Sequence, residues 1–108
     1  MGRGGYLGEF EQIVLLAVAR LERERYGMEI RREIEERTGR QISIGAVYAT
    51  LDRLEGKGFV QQRREADASR ARRFFAITAA GVRALETSRD IQARMWSGLQ
   101  LKRVLRRS

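Results

Sequence analysis

The sequence contains no cysteine and no histidine among its 108 residues. Without cysteine there is no disulfide, no thiol nucleophile and no zinc finger. Without histidine the usual metal ligand and the usual general base are both missing. Long hydrophobic runs are lacking too. The longest purely apolar one, Ile13 to Ala19, falls far short of the roughly 20 residues a membrane span needs. No signal peptide is read ahead of it, so the expectation is a soluble cytoplasmic protein with no membrane partner. No phosphate-cradling glycine loop and no convergent acid pair is visible, so no enzyme, metal or cofactor is expected. A chain this long makes one domain that buries about two-thirds of its unfolded surface, which is marginal for a monomer.

Charge is plentiful, and its placement says more than its total of +8. Residues 1–58 carry ten basic and ten acidic side chains and balance to zero. Residues 59–82 hold five arginines against Glu65 and Asp67, and residues 83–108 hold seven basic side chains against Glu86 and Asp90. The whole excess therefore lies in the second half. Such a footprint suits a polyanion, because each neutralised phosphate releases counterions. Twenty of the 22 basic residues are arginine, which coding bias alone can produce, so location weighs more than number.

The stretch from Ser43 to Gly58 organises the chain. Val47, Leu51 and Leu54 recur at steps of four and three, which on a helix makes one apolar stripe facing a core. Ala46, Ala49, Thr50 and Arg53 share the opposite face, and three of the four are small enough to let the backbone approach a partner closely. Ser43 suits the N-cap and Gly58 the C-terminal stop. A short helix with one buried and one smooth face, followed by a basic hairpin, reads as a recognition helix for the DNA major groove.

Around it, residues 1–6 read as a flexible lead, glycine-rich from Met1 to Gly5. Leu7 to Arg23 is helical, with Phe10, Ile13, Val14, Ala17 and Leu21 along one side. Leu15, Leu16 and Val18 are apolar as well, and a helix greasy nearly all round asks either for cover from a second subunit, the reading preferred in so short a chain, or for an unusually deep place in the core. Tyr26 to Arg37 is a second helix, stopped at Thr38-Gly39, and with the loop Arg40 to Ile42 it completes a helix-turn-helix. Its charged residues read as a solvated face. Phe59 to Arg64 and Arg72 to Ile77 are strands of a β-hairpin flanking the polar segment Glu65 to Ala71. Arg63, Arg64, Arg70, Arg72 and Arg73 cluster around its outer half, where phosphates would be met. Phe75 and Ile77 share a face packed on the helices, and Phe74 points the other way, either as a lid on the core, the reading preferred, or as a contact to sugar.

Thr78 is a good N-cap for a last helix running to about Arg106, a rod of roughly 40 Å. The preceding core cannot cover its apolar positions along that length. A homodimer that pairs this helix with the partner's copy and the first helix is the economical arrangement. Leu15, Val18, Ile91, Met95, Trp96 and Leu99 are the expected interface. Lys102, Arg103, Arg106 and Arg107 form a basic tail.

The motif Tyr26-Gly27-Met28-Glu29-Ile30, the run Ile44-Gly45-Ala46-Val47-Tyr48 leading to Leu51, Arg53-Leu54-Glu55 with Gly58, and Arg72-Arg73-Phe74-Phe75-Ala76-Ile77-Thr78 with Gly81 and Leu85 together resemble the PadR family of transcriptional regulators. The single C-terminal helix resembles its short subfamily. The resemblance implies a mainly α (α+β) winged helix-turn-helix over residues 7–78 with a two-stranded wing, and a dimerisation helix over residues 79–108. It further implies a homodimeric repressor on a palindromic operator in double-stranded DNA. Carried onto this chain, the DNA-facing positions are Ser43, Gly45, Ala46, Tyr48, Ala49 and Thr50, with Arg53 nearby. Tyr48 either gives its hydroxyl to a phosphate or is a core tyrosine with a wet tip. Ala49 stands where many members have proline.

Some family members respond to flat hydrophobic or phenolic effectors. By that resemblance Trp96, with Met95 and Leu99, either lines an effector pocket or only packs the interface. Set against DNA binding stands the use of a winged helix for protein or RNA contact, since the fold alone does not fix the function.

Overall fold

The computed structural model describes residues 6–22, 25–66 and 71–107. The expected flexibility of Met1–Gly5 and the wing residue Arg70 lie outside the described residues. In chain order the elements are α1 (Glu9–Arg20), β1 (Arg25–Tyr26), α2 (Gly27–Thr38), α3 (Ile44–Gly56), β2 (Val60–Ala66), β3 (Ala71–Ile77), α4 (Ala79–Trp96) and α5 (Leu101–Arg107). The strands form an antiparallel sheet in the order β1-β3-β2. This is the expected winged helix-turn-helix, with two differences. A third, two-residue strand pairs Arg25 with Phe75 and Tyr26 with Phe74. The wing strands also run further into the polar segment than expected, pairing as far as Ala66 with Ala71.

Local chemistry explains the boundaries. The Ser43 hydroxyl accepts from the Ala46 N–H at 3.0 Å, which meets one of the orphan donors that open α3. Gly58 follows at φ 79°, a conformation a side chain resists. Thr78 opens α4 in the same way, accepting from the Gly81 N–H at 3.0 Å while donating to the Gly58 carbonyl at 2.7 Å. One hydroxyl thus ties the end of the recognition helix to the start of α4. At the front, the Gly8 N–H donates to the Glu11 carboxylate at 2.8 Å, and the anionic first turn of α1 complements the helix dipole.

The core joins Val14, Leu15, Ala17 and Val18 of α1, Ile30 and Ile34 of α2, Val47, Leu51 and Leu54 of α3, and Phe59, Val60 and Phe75 of the hairpin. Two expected interface residues are corrected here. Leu15 is fully buried and Val18 is 4% exposed within a single chain, because α1 lies in the middle, packed against α2, α3, β3 and α4. A central helix is covered on several sides without a second subunit. The residue left over is Leu16, at 49% exposure.

The last helix is also corrected. It breaks after Trp96, where Ser97 turns to extended backbone and Gly98 takes φ 74°, and α5 begins separately at Leu101. The N-terminal part of α4 docks on the core through Gly81, Ala80, Ala84 and Leu85. From Arg89 to Arg103 every residue is exposed. That projection draws the molecule out to 64 × 34 × 22 Å. No helix among the described residues is long and apolar enough to cross a membrane.

The docking of α4 depends on a residue with no side chain. A Cβ at Gly81 would lie 2.3 Å from the Phe59 carbonyl oxygen and 2.8 Å from an Ile77 carbon. Backbone cannot yield as a side-chain tip can. Gly81→Ala is expected to destabilise the fold by about 1–3 kcal/mol. Gly56→Ala, with open space around its Cβ, should leave stability unchanged or raise it by about 0.5 kcal/mol. Urea unfolding midpoints of the two variants check this.

Candidate nucleic-acid interface

Three layers build this surface: the outer face of α3, the hairpin beside it, and the charge pairs that hold the two in register. Gly45, Ala46, Ala49 and Gly56 are exposed along α3, giving a face with almost no side chain. Asp52 and Arg53 stand on its two margins, both exposed. Ser43 is exposed at the N-terminal end, preceded by Arg40 and Gln41. Thr50 is a correction. It is 1% exposed, and its hydroxyl accepts from the Arg53 guanidinium at 3.1 Å. Three residues after Val47 and four before Leu54, it falls on the stripe that faces the core.

Tyr48 is half-buried, and its surroundings explain a glycine on another helix. A Cβ at Gly27, the first residue of α2, would lie 2.5 Å from the Tyr48 ring and 2.8 Å from its oxygen. The ring therefore occupies the space a side chain would take, and α2 and α3 meet closely. On its other sides it lies 6.3 Å from the Phe75 ring, centroid to centroid, with the Arg73 guanidinium 5.3 Å from its centroid.

Arg73 was expected among the phosphate-facing arginines of the outer wing, and the structure places it elsewhere. Strand alternation puts it on the same face as Phe75 and Ile77, towards α3. There its Nε donates to the Gln62 side-chain oxygen, and its terminal nitrogen donates to Asp52 Oδ1. The guanidinium also lies 5.2 Å from the Phe75 ring centroid. Gln62 in turn donates to Glu55 at 3.4 Å. Wing and recognition helix are thus joined by one hydrogen-bonded string, Asp52-Arg73-Gln62-Glu55.

The remaining wing arginines divide between the faces of the sheet. Arg63 is exposed, with its guanidinium 4.7 Å from the Phe74 ring centroid. Phe74 meets Tyr26 edge-on at 5.5 Å, which gives it the expected role of a lid on the far side. Arg64 is exposed and pairs across the strands with Arg73. Arg72 is placed by its backbone register opposite Glu65. Sequence reasoning missed Asp52 and Gln62. The alternation through Arg73 pointed to Gln62, and the spacing from Ala49 pointed to Asp52.

Arg53 is drawn towards α1 by Glu11, whose carboxylate lies 3.6 Å from its Nε. Lys57 donates to both Glu11 oxygens and to the Tyr6 carbonyl, each at 3.0 Å. Burial acts to raise the Glu11 pKa, but the Gly8 N–H and the charges of Lys57 and Arg53 together outweigh it and hold the carboxyl below its ordinary value. The cluster fixes the C-terminal end of α3 on the first turn of α1.

Ile91, Met95, Trp96 and Leu99, expected to face a second subunit, are all exposed, Met95 at 76% and Trp96 at 57%. Val82, Leu101 and Leu105 are exposed large apolar residues that the expected interface omitted. Between α1 and α4 lies an open groove of about 380 Å³, its apolar lining including Leu16, Ile77, Val82 and Leu85. Among the described residues no cluster of acidic side chains is arranged to hold a metal ion.

The model of the transcriptional regulator PadR-like family matches residues 15–87. No curated protein matches the chain. Among solved structures, RosR of H. salinarum is 29% identical with a TM-score of 0.69, the match covering 90% of this chain and 84% of that one. A PadR family transcriptional regulator from Eggerthella lenta is 21% identical with a TM-score of 0.71, covering 90% and 86%. PadR of Bacillus subtilis, solved in complex with operator DNA, is 18% identical with a TM-score of 0.63, covering 73% of this chain and 45% of that one. The last two share the fold.

Because the Glu11 pKa is lowered in the fold, its contribution is present above the ordinary carboxylate value of 4.5 and is lost as pH falls through the folded value. Glu11→Gln should therefore cost about 1 kcal/mol near neutral pH. That deficit should shrink to nothing in acid below pH 4.5. Thermal melts of both proteins across this range check the sign.

Proposed function

The chain belongs to the transcriptional regulator PadR-like family, and on that premise we propose that it is a cytoplasmic repressor that binds a palindromic operator as a homodimer. The observation that carries this reading is the bare outer face of α3, where Gly45, Ala46 and Ala49 are exposed and leave the backbone free to enter a groove. Ser43 and the first-turn N–H groups of α3 offer donors to a phosphate at the groove edge. Tyr48 adds its hydroxyl there, and Arg63, Arg64, Arg70 and Arg72 of the wing neutralise flanking phosphates. Arg53 and Arg73 steer from the margins while tied to Glu11 and Asp52.

The exposed stretch of α4 supports the dimer. Ile91, Met95, Trp96 and Leu99 form an apolar surface that one chain leaves in water, and twofold pairing along it buries them. Two recognition helices then reach half-sites about one helical turn apart. A small planar hydrophobic effector stacking on Trp96, beside Met95 and Leu99, would act at that seam and release the operator.

Duplex affinity should fall steeply with salt, and the log–log slope should lessen by about 1 when Arg63→Gln or Arg64→Gln takes one cation away from the phosphates. Fluorescence anisotropy on a labelled duplex measures it; a winged helix devoted to protein contact would show no such trend. Ile91→Asp with Met95→Asp should give monomers in analytical ultracentrifugation and reduce duplex affinity at least tenfold, a rough figure from losing one half-site of a linked pair. Emission of Trp96, the single tryptophan of the chain, should be quenched by a planar aromatic, and Trp96→Leu should lose binding of that aromatic in calorimetry. Emission unchanged across a broad panel would remove the effector.

A further inference from the structure

We infer that Asp52 is a specificity-determining residue, its carboxylate accepting a hydrogen bond from the exocyclic amino group of a cytosine in each operator half-site. The inference rests on the duplex-binding reading above. It begins from an oddity of charge. A chain of net charge +8 places a carboxylate, not a cation, on the margin of its barest helix face, and that carboxylate is exposed. Facing phosphates it would be repelled. Facing base edges it finds donors.

The geometry supports the second arrangement. Gly45, Ala46, Ala49 and Gly56 present no side chain longer than a methyl group, so the backbone can seat deeply. Arg53, on the opposite margin, is turned to Glu11 and Thr50. Asp52 is therefore the side chain on this face with an acceptor to offer and no reason to fold back on its own helix. It is also held in place. Arg73 donates to Oδ1, and among the described residues Oδ2 has no hydrogen-bond partner. The guanidinium lowers the cost of bringing a negative charge near DNA and fixes the direction of the open oxygen. Arg73 is itself clamped by Gln62 and by the rings of Tyr48 and Phe75, so it acts as a positioning residue.

Base chemistry selects the partner. In the major groove cytosine offers a lone amino donor, guanine only acceptors, and thymine an acceptor and a methyl group. Adenine has an amino donor, but its neighbouring N7 acceptor opposes a second carboxylate oxygen. An amide at position 52 reverses this, since its donor and acceptor match adenine N7 and N6 together.

Selection of bound duplexes from a random pool, run in parallel on the wild type, Asp52→Asn and Asp52→Ala, tests this. The wild-type motif should contain, in each half-site, a cytosine preferred about tenfold. Asp52→Asn should move that position to adenine, and Asp52→Ala should flatten it, with the rest of the motif kept. Three identical motifs would overturn the inference, as would binding weakened equally on all sequences, which is the result if Asp52 merely tethers Arg73. A wild type that enriches no duplex would instead overturn the DNA-binding reading itself, and this inference with it. Asp52 is exposed, so both variants should fold, and their melting temperatures serve as the control.

Discussion

The whole surface depends on the Tyr48 ring filling the place where α2 has no side chain. Gly27 lets the second helix start against the ring, Phe75 closes one side, and Arg73 covers another. Helix, helix and sheet are thereby indexed to a single side chain. This contact sets how closely α3 and the start of α2 approach one another. Ridge-and-groove packing would allow a range of crossings, and a ring seated in a glycine gap narrows that range. Because the same ring carries the guanidinium that reaches Asp52, the relation between recognition helix and wing is fixed in the same place.

Electrostatics divides the labour along α3. At its C-terminal end Glu11 gathers Lys57 and Arg53. At its wing side Asp52 takes Arg73. Two of the arginines nearest the bare face are therefore partly neutralised before any nucleic acid arrives, so less like-charge repulsion opposes the folded state. The positive surplus lies further out, on Arg64 and towards the terminal helices. On the reading proposed above, attraction from a distance and discrimination at contact fall to different residues. A protein that placed every arginine at the groove would bind tightly and distinguish little.

Much of this was legible in the sequence, and what was not has physical causes. Ser43, Gly58 and Thr78 mark boundaries by local chemistry, which a linear pattern displays. The four- and three-step recurrence of Val47, Leu51 and Leu54 was enough to find the buried face of α3. Thr50 was grouped with Ala46 and Ala49 as a small residue of the outer face, while its angular position lies with the apolar stripe. Arg73 was misplaced for a similar reason: its charge drew it outward, whereas alternation from Phe75 and Ile77 drew it in. Leu15 and Val18 depended on how many neighbours surround α1, which no single segment reveals. Strand β1 is two residues long, too short for any periodicity. The break after Trp96 was written in Ser97-Gly98, but the apolar residues on both sides masked it. The shared signature, running from Tyr26 to Leu85, identified the family even where those details failed.

The interruption at Gly98 separates two rotational phases. In an unbroken helix each inserted or deleted residue turns everything beyond it by about 100°, so a change near Ser97 would swing the terminal segment around the axis. A connector with a left-handed glycine absorbs such a change within four residues. The stretch through Trp96 and the cationic segment beyond it can therefore diverge in sequence, length and heading independently.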